Sequence, residues 1–550
     1  MSVGKCVINY FKKHIHIFFV SLIVIILVTL ISLLPPQLLK IIVDDINNKN
    51  TDYLLMYALL YVLIYFSIGI INFLKEILLI TISQGVGKNI RLEMLNKINK
   101  MTYTNFSQYD NGKLEAFFSN DVDEINTLIT SGVISMFIDS FKIIGIIISI
   151  FIFSYIFGLI TLLIIPLIVL FTLWIRKRMY KAQLNNRKLE GNINSLVLEN
   201  LDNVVTIKSF RIFDKIKNKY NEVLNNHFKT NQKVNTYDSM FSPIMQMMKT
   251  ALIVLIICCS SINISLFNMS VGMLVSSIDL ITNLFAPIEN LGMELQTIQN
   301  SFAAIDRINT FFKLKEDDEK LKIKYNEGNV ILKFEDVTFS YDNKENVIEH
   351  FNLELKNNQR IVLKGRSGSG KSTLFKLAYG LIKPTSGRVT INDIDTYLLP
   401  NEIKNKYFSI VYQDYFFSNG TIKEEITLLN NNISEEKIYE ALKLVGLTRI
   451  NDINKKLNIN DYSTGELSLF NIARAIVLDS KILFLDEMNA KIDYANAQNI
   501  IKVIDKISKD KIVLSINHYG ELLNNSEIIN LEKNNSINKY QNEYFNDKSI

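Results

Sequence analysis

The chain has 550 residues, 48% of them hydrophobic, and a mean hydropathy of +0.15. That is too apolar for an ordinary soluble protein of this length and points to a membrane class. A net charge of only +5 leaves no electrostatic footprint for nucleic acid. The three cysteines, Cys6, Cys258 and Cys259, make neither a disulfide framework nor a metal-ligand spacing, and are expected as small apolar fillers.

Lys5, Lys12 and Lys13 precede the apolar run IFFVSLIVIILVTLISLL, which is too long for a signal-peptide core and ends at Pro35-Pro36 with no cleavage site. A span needs roughly 20 apolar residues. Residues 17–34 and 54–74 therefore read as two retained membrane helices. The next uncharged run, 143–175, is long for one helix and short for two, and flanking charge decides between them. Lys88, Arg91, Lys97, Lys100 and Lys113 lie before it, and eleven Lys or Arg lie in 176–219. Both flanks should be cytoplasmic, so an even number of spans separates them. The spacing predicts spans at about 133–154 and 157–175, which puts Asp139 and Lys142 inside the membrane or at its inner edge. The same parity predicts spans at about 249–267 and 271–290, the latter interrupted by Asp279. Charge inside a span is costly unless it faces water or a partner. These three residues are thus candidates for a cargo path, with an Asp139–Lys142 pair that merely neutralises itself as the rival reading.

The connectors NIRLEMLNKINKM and NSLVLENLDNVVTIKSF keep helical periodicity, so the membrane helices are expected to continue well into the cytoplasm. Residues 1–314 form the transmembrane domain on this reading, and the charged stretch 315–328 a linker. From 329 to 550, β-rich runs alternate with helical patterns, as in an α/β domain with a largely parallel sheet.

Strand-like RIVLK runs into GRSGSGKST, residues 365–373, and then into helical LFKLAYGL. This is the P-loop pattern in its strand–loop–helix setting, where backbone N–H groups and a helix N-terminus enclose phosphate. Gly365, Ser367, Gly368, Gly370 and Thr373 belong to that loop; Lys371 would neutralise the β- and γ-phosphates of ATP, and Ser372 would hold Mg²⁺. ILFLDE is an apolar strand ending in two acids: Asp486 for the Mg²⁺ shell and Glu487 to polarise the attacking water. A second strand, KIVLSIN, ends at His518.

At this point nearly the whole chain resembles the ATP-binding cassette exporters, specifically half-transporters with six membrane helices and one cassette. The resemblance implies that Tyr341 in FSY stacks on adenine. It also places Gln413 in the Q-loop, near γ-phosphate and Mg²⁺, Asp493 in the D-loop, and His518 as the switch histidine. NFSQYDNGKLEAFFSNDVDEI and ENLDNVVTIKSF are similar to the two intracellular loops of that family. YSTGE stands where the family has LSGGQ, the signature that caps ATP bound by the opposite subunit. Ser463 and Gly465 remain, but Thr464 replaces a glycine and Glu466 a glutamine. Thr is expected to restrict the backbone and Glu to add charge near phosphate, giving either a weakened signature or harmless drift.

The resemblance implies a dimer, because one cassette lacks the signature that completes its own site; whether the second half-transporter is identical stays open. Localisation in a bacterial cytoplasmic membrane is expected, with the N-terminus and the ATPase domain cytoplasmic. The first span begins near residue 17, leaving no room for the leader-cutting protease domain of one family branch, and Cys6 is not its nucleophile. A peptide or bacteriocin-like cargo is preferred, with lipophilic drugs or lipids as the alternative. An ATP-gated regulator with little turnover is a third reading, against which Glu487 speaks.

Overall fold

A computed structural model describes residues 2–262, 270–318, 320–323, 325, 328–341, 345–366, 368–412, 416–486, 494–516, 525–531 and 538–541. The chain divides into two compact units, residues 1–99 with 109–314, and residues 100–108 with 315–550.

The first unit is helical. Among the described residues six helices are long and apolar enough to cross a membrane: Ile15–Asn47, Leu54–Lys100, Gly112–Phe153, Tyr155–Asp202, Phe213–Ser260 and Val271–Phe312. All but the first run 42–48 residues. At 1.5 Å per residue the shortest of these five is about 63 Å long, twice the hydrocarbon thickness of roughly 30 Å, so each continues far beyond a bilayer. The uncharged run 143–175 is split at Ser154, whose extended backbone (φ −154°, ψ 123°) separates two helices. The proline pair does not stop the first span. Pro35 and Pro36 occupy the first turn of Leu34–Asn47, where a missing N–H leaves no hydrogen bond unmade.

Unexpected from the pattern is a short amphipathic helix, Val3–Lys13, ahead of the first span. It is tied down by two long-range bonds: Asn89 Nδ2 donates to Cys6 O at 3.0 Å, and Val3 N donates to Asn309 Oδ1 at 2.9 Å. Cys6 is fully buried there, as a filler should be. At the start of Val271–Phe312, Asp44 accepts from Ser270 Oγ at 2.7 Å and from Gly272 N at 2.8 Å. That carboxylate satisfies an orphan N–H and complements the positive helix end. The connector read as continuous helix instead breaks at Asn203. A short helix, Val204–Phe210, follows and ends at Arg211 in the left-handed region (φ 51°) before the chain reverses into the next long helix. The core packs Ile146, Ile150, Phe157 and Ile168 against Phe241, Met245 and Leu284. Of the methionines at the entry to the fifth span, Met245 is buried in this core, whereas Met240 and Met247 face outward.

The second unit is α/β. Strands β1 (Ile331–Phe339), β2 (Ile348–Lys356), β4 (Ser386–Ile391) and β5 (Ile394–Asp395) form an antiparallel sheet in the order β2-β1-β4-β5. Strands β3 (Arg360–Gly365), β6 (Phe408–Val411), β7 (Ile482–Asp486), β8 (Ile512–Ile516), β9 (Glu527–Leu531) and β10 (Asn538–Gln541) form the second sheet, in the order β10-β9-β3-β8-β7-β6. Every pair in it except β10–β9 is parallel. β7 and β8 are apolar almost throughout and buried on both faces, as strands covered by helices must be. Residues 100–108 belong to this unit. Asp317 N donates to Lys100 O at 2.8 Å, Asn105 Nδ2 donates to Lys315 O at 3.2 Å, and Tyr103 packs against the sheet's apolar core.

Among the described residues two lysines are buried in this unit, Lys371 and Lys404. Lys404, in the helix Asn401–Tyr407, is 4% exposed and donates to Gly380 O at 2.6 Å. Burial, with Lys320 nearby, lowers its pKa to about 8. The unfolded chain therefore holds more protons between pH 8 and the ordinary lysine value of 10.5, so this group withholds stability at lower pH and returns it as pH rises through that window. We expect the melting-temperature difference between Lys404→Met and the native chain to shift against the mutant as pH rises from 8 to 10.5. A pH-independent difference would show that the ammonium is not desolvated.

Candidate nucleotide site

β3 delivers the P-loop and is fully buried along Ile361–Leu363, so the loop springs from a rigid edge. Gly368 and Gly370 have φ of 83° and 90°, which any side chain resists. At Gly370 space forbids one as well, because an added Cβ would lie 2.5 Å from Ile348 Cδ1 and 3.1 Å from Val347 O. Gly370 is also the N-cap of the helix Lys371–Ala378, so its twist turns the N–H groups of the first turn toward the loop. Lys371 is buried, and its Nζ donates to Gly365 O (2.9 Å) and Arg366 O (3.0 Å), inside the loop that the phosphates would share. The neighbouring Ser372 hydroxyl is exposed. Tyr341 meets this helix: its hydroxyl lies 3.2 Å from Thr373 Oγ1 while its half-exposed ring packs edge-on against Phe339.

Register brings the remaining groups to the same edge. Leu363 of β3 and Asp486 of β7 both pair with Ile516 of β8, and Leu485 pairs with Val411 of β6. Four adjacent parallel strands thus end flush, which is the edge where α/β sheets bind ligands. Asp486 closes β7, half-buried. One carboxylate and one exposed serine, with phosphate oxygens to complete the shell, would suit an oxygen-seeking Mg²⁺. Ser367, Gln413, Glu487, Asp493 and His518 lie outside the described residues.

The YSTGE segment opens the helix Thr464–Leu478. Ser463 is its N-cap, and Glu466 completes a capping box: Ser463 Oγ accepts from Glu466 N at 3.2 Å, and Glu466 Oε2 accepts from Ser463 N at 2.9 Å. Thr464 is the first helical residue and is absent from the positive-φ positions, so the expected backbone strain of threonine for glycine does not arise. Glu466 does not stand as an uncompensated charge either, because Arg449 Nη2 lies 2.9 Å from Oε1.

Two partners that local pattern does not reveal hold this helix. Glu425, 4% exposed, accepts from Ser418 N (2.8 Å), Ser418 Oγ (2.5 Å) and Gly420 N (3.0 Å), with Arg474 Nη2 3.7 Å away. Arg474 also donates through Nε to Glu425 O at 2.9 Å. The loop at 416–420 is thereby bolted to the signature helix. Tyr103 is likewise unanticipated; Lys376 of the P-loop helix lies over its ring at 5.1 Å.

In the helical unit the charged candidates separate. Asp139 accepts from Asn290 Nδ2 at 2.9 Å, and no ion pair joins it to Lys142 among the described residues. Glu294, one turn beyond Asn290, is buried with Oε2 lacking a hydrogen-bond partner among the described residues. Asp279 precedes Asn290 by three helical turns, about 16 Å. Its buried Oδ2 also lacks a hydrogen-bond partner among the described residues. The expected trio therefore does not form one cluster within a chain.

Six apolar helices followed by a P-loop at the edge of a buried parallel sheet define a membrane transporter driven by a nucleotide. The ABC transporter transmembrane region matches residues 18–288 and the ABC transporter ATP-binding family matches residues 348–490. The chain belongs to the ABC transporters, with both regions in one polypeptide, and is a multi-pass membrane protein of the exporter kind. It is 24% identical to exp8 of Streptococcus pneumoniae serotype 4, named as an ABC transporter ATP-binding protein, over 94% of this chain and 90% of that one. It is 24% identical to YgaD of Bacillus subtilis (strain 168), named for multidrug export, over 98% and 96%. Lactococcin-A transport/processing ATP-binding protein LcnC of Lactococcus lactis is 26% identical over 90% of this chain and 70% of its own.

The Glu425 network yields a prediction. Removing one partner of a buried charge pair typically costs about 3–5 kcal/mol. We expect Glu425→Ala to lower stability by about 3 kcal/mol in denaturant titration of the full chain, whereas a loss under about 1 kcal/mol would show that the pair is solvated.

Proposed function

We propose that the protein is one half of a dimeric exporter that hydrolyses ATP to move a peptide out across a bacterial cytoplasmic membrane, with its N-terminus and ATPase unit on the cytoplasmic side. The observation that carries the reading is the P-loop geometry: a buried Lys371 enclosed by a loop that only Gly368 and Gly370 can form, in the chain that also carries six apolar helices. The density of Lys and Arg at 81–115 and 176–219 supports the orientation.

In this mechanism the loop amides and Lys371 bind the β- and γ-phosphates, and Tyr341 flanks the base. Ser372, Asp486 and Gln413 would hold Mg²⁺, which would supply charge neutralisation on the phosphate oxygens. Glu487 would orient the attacking water and accept its proton, and His518 and Gln413 would act on the γ-phosphate. Ser463 and Gly465 close the site from a second chain, which is why a dimer is required. Asp493 would be the D-loop residue on this reading.

The peptide preference rests on polar groups within apolar helices, Asp139 with Asn290 and the half-buried Asp279, which suit cargo that itself carries charge. LcnC, named for lactococcin transport, agrees with it. Export of lipophilic compounds is the second reading, favoured by the name of YgaD.

Two outcomes test this. Glu487→Gln should retain ATP binding while losing turnover by about 100-fold or more, and Lys371→Ala should instead weaken binding itself. Undiminished hydrolysis by the Gln variant would remove Glu487 from its role. For cargo, Asp139→Asn and Asp279→Ala should shift preference between cationic and neutral peptides in vesicle transport assays. Unchanged rates for every peptide and drug tested would place both carboxylates in packing alone.

A further inference from the structure

The N-terminus of the helix Thr464–Leu478 carries chemistry that a phosphate-facing segment does not need. Both oxygens of Glu466 are engaged. Oε2 accepts from Ser463 N at 2.9 Å and from the Ser463 hydroxyl at 3.1 Å, while Oε1 faces Arg449 Nη2 at 2.9 Å. Arg449 follows the helix Glu435–Leu444 and comes from a separate stretch of chain. Its guanidinium lies over the ring of Tyr462 at 5.0 Å and reaches Asp461 O at 3.4 Å. Tyr462 in turn packs edge-on against the buried Phe470 of the signature helix, 5.1 Å between centroids. The guanidinium is thus fixed on one side by an aromatic plane and on the other by the carboxylate.

An exposed ion pair of this kind contributes little to folding, because water screens it. Its effect lies elsewhere. A carboxylate beside bound polyphosphate raises the energy of the complex, and a carboxylate that captures the Ser463 hydroxyl proton removes a donor the phosphate would use. A cation on the opposite oxygen counters both effects.

We propose that Arg449 is a positioning residue for ATP: by holding and neutralising Glu466, it keeps the altered YSTGE segment competent to close on a nucleotide. The proposal rests on the reading of Ser463–Glu466 as the nucleotide-facing signature. It makes Arg449 and Glu466 a matched pair, in which the acid is tolerable only because the cation is present.

The test is ATP hydrolysis by the intact transporter in lipid, measured for KM and kcat at low and high salt, with melting temperature alongside. Arg449→Ala should raise the KM for ATP about fivefold, more at low salt than at high, with little change in melting temperature. In a Glu466→Gln background the same substitution should change KM by less than about twofold, and Arg449→Lys should recover most of the loss in the native background. Equal effects of Arg449→Ala in both backgrounds would overturn the proposal. Gly465→Asp separates the two layers of the argument. If it leaves hydrolysis intact, the signature reading fails. If it abolishes hydrolysis while Arg449 and Glu466 act independently, the pairing alone fails.

Discussion

Backbone N–H groups at one turn of the chain are what the rest of the ATPase unit is built to present. A phosphate would be recognised there by backbone amides of a turn that takes its shape from the positive φ of Gly368 and Gly370, between a buried strand and a helix. The loop would be useless on a mobile support. β3 lies between β8 and β9 in a sheet whose central strands are buried on both faces, so the turn is held from behind by a packed apolar core. The register then does the assembling. Because β3, β8, β7 and β6 end together, residues distant in sequence leave the sheet at one edge, with Asp486 among them.

The helical unit meets a different constraint. In apolar surroundings a charged group must find a partner or water, and Asp139 finds Asn290 on another helix. Asp44 does the same at the start of Val271–Phe312, where it completes a helix terminus instead of serving cargo. The carboxylates of this unit thus divide into those with a structural task and those, Asp279 and Glu294, with an oxygen that no hydrogen bond explains among the described residues.

What could be read in advance followed the distance over which each interaction acts. The P-loop is local: glycines, lysine and the strand–loop–helix setting stand within a dozen residues. Charge parity was enough to split the run 143–175, and the break falls at Ser154. Partners remote in sequence left no trace; Glu425 and Arg474, Asp44 and Ser270, and Asp139 and Asn290 meet only in the fold. The YSTGE segment shows a different kind of miss. Comparison with a family pattern suggested strain at Thr464, yet the same letters spell a capping box, Ser463-x-x-Glu466, whose local physics places threonine in ordinary helical conformation. Arg449, which balances the acid, lies 17 residues upstream and could not have been paired with it from spacing alone.

Whether this geometry serves a pump or a nucleotide-gated regulator turns on turnover. The most direct measurement is steady-state ATP hydrolysis by the purified protein in lipid vesicles, together with whichever second chain co-purifies with it. The account predicts continuous, Mg²⁺-dependent hydrolysis that falls away when the chains are diluted in the bilayer far enough to separate the two halves. Stoichiometric ATP binding without sustained turnover would contradict it.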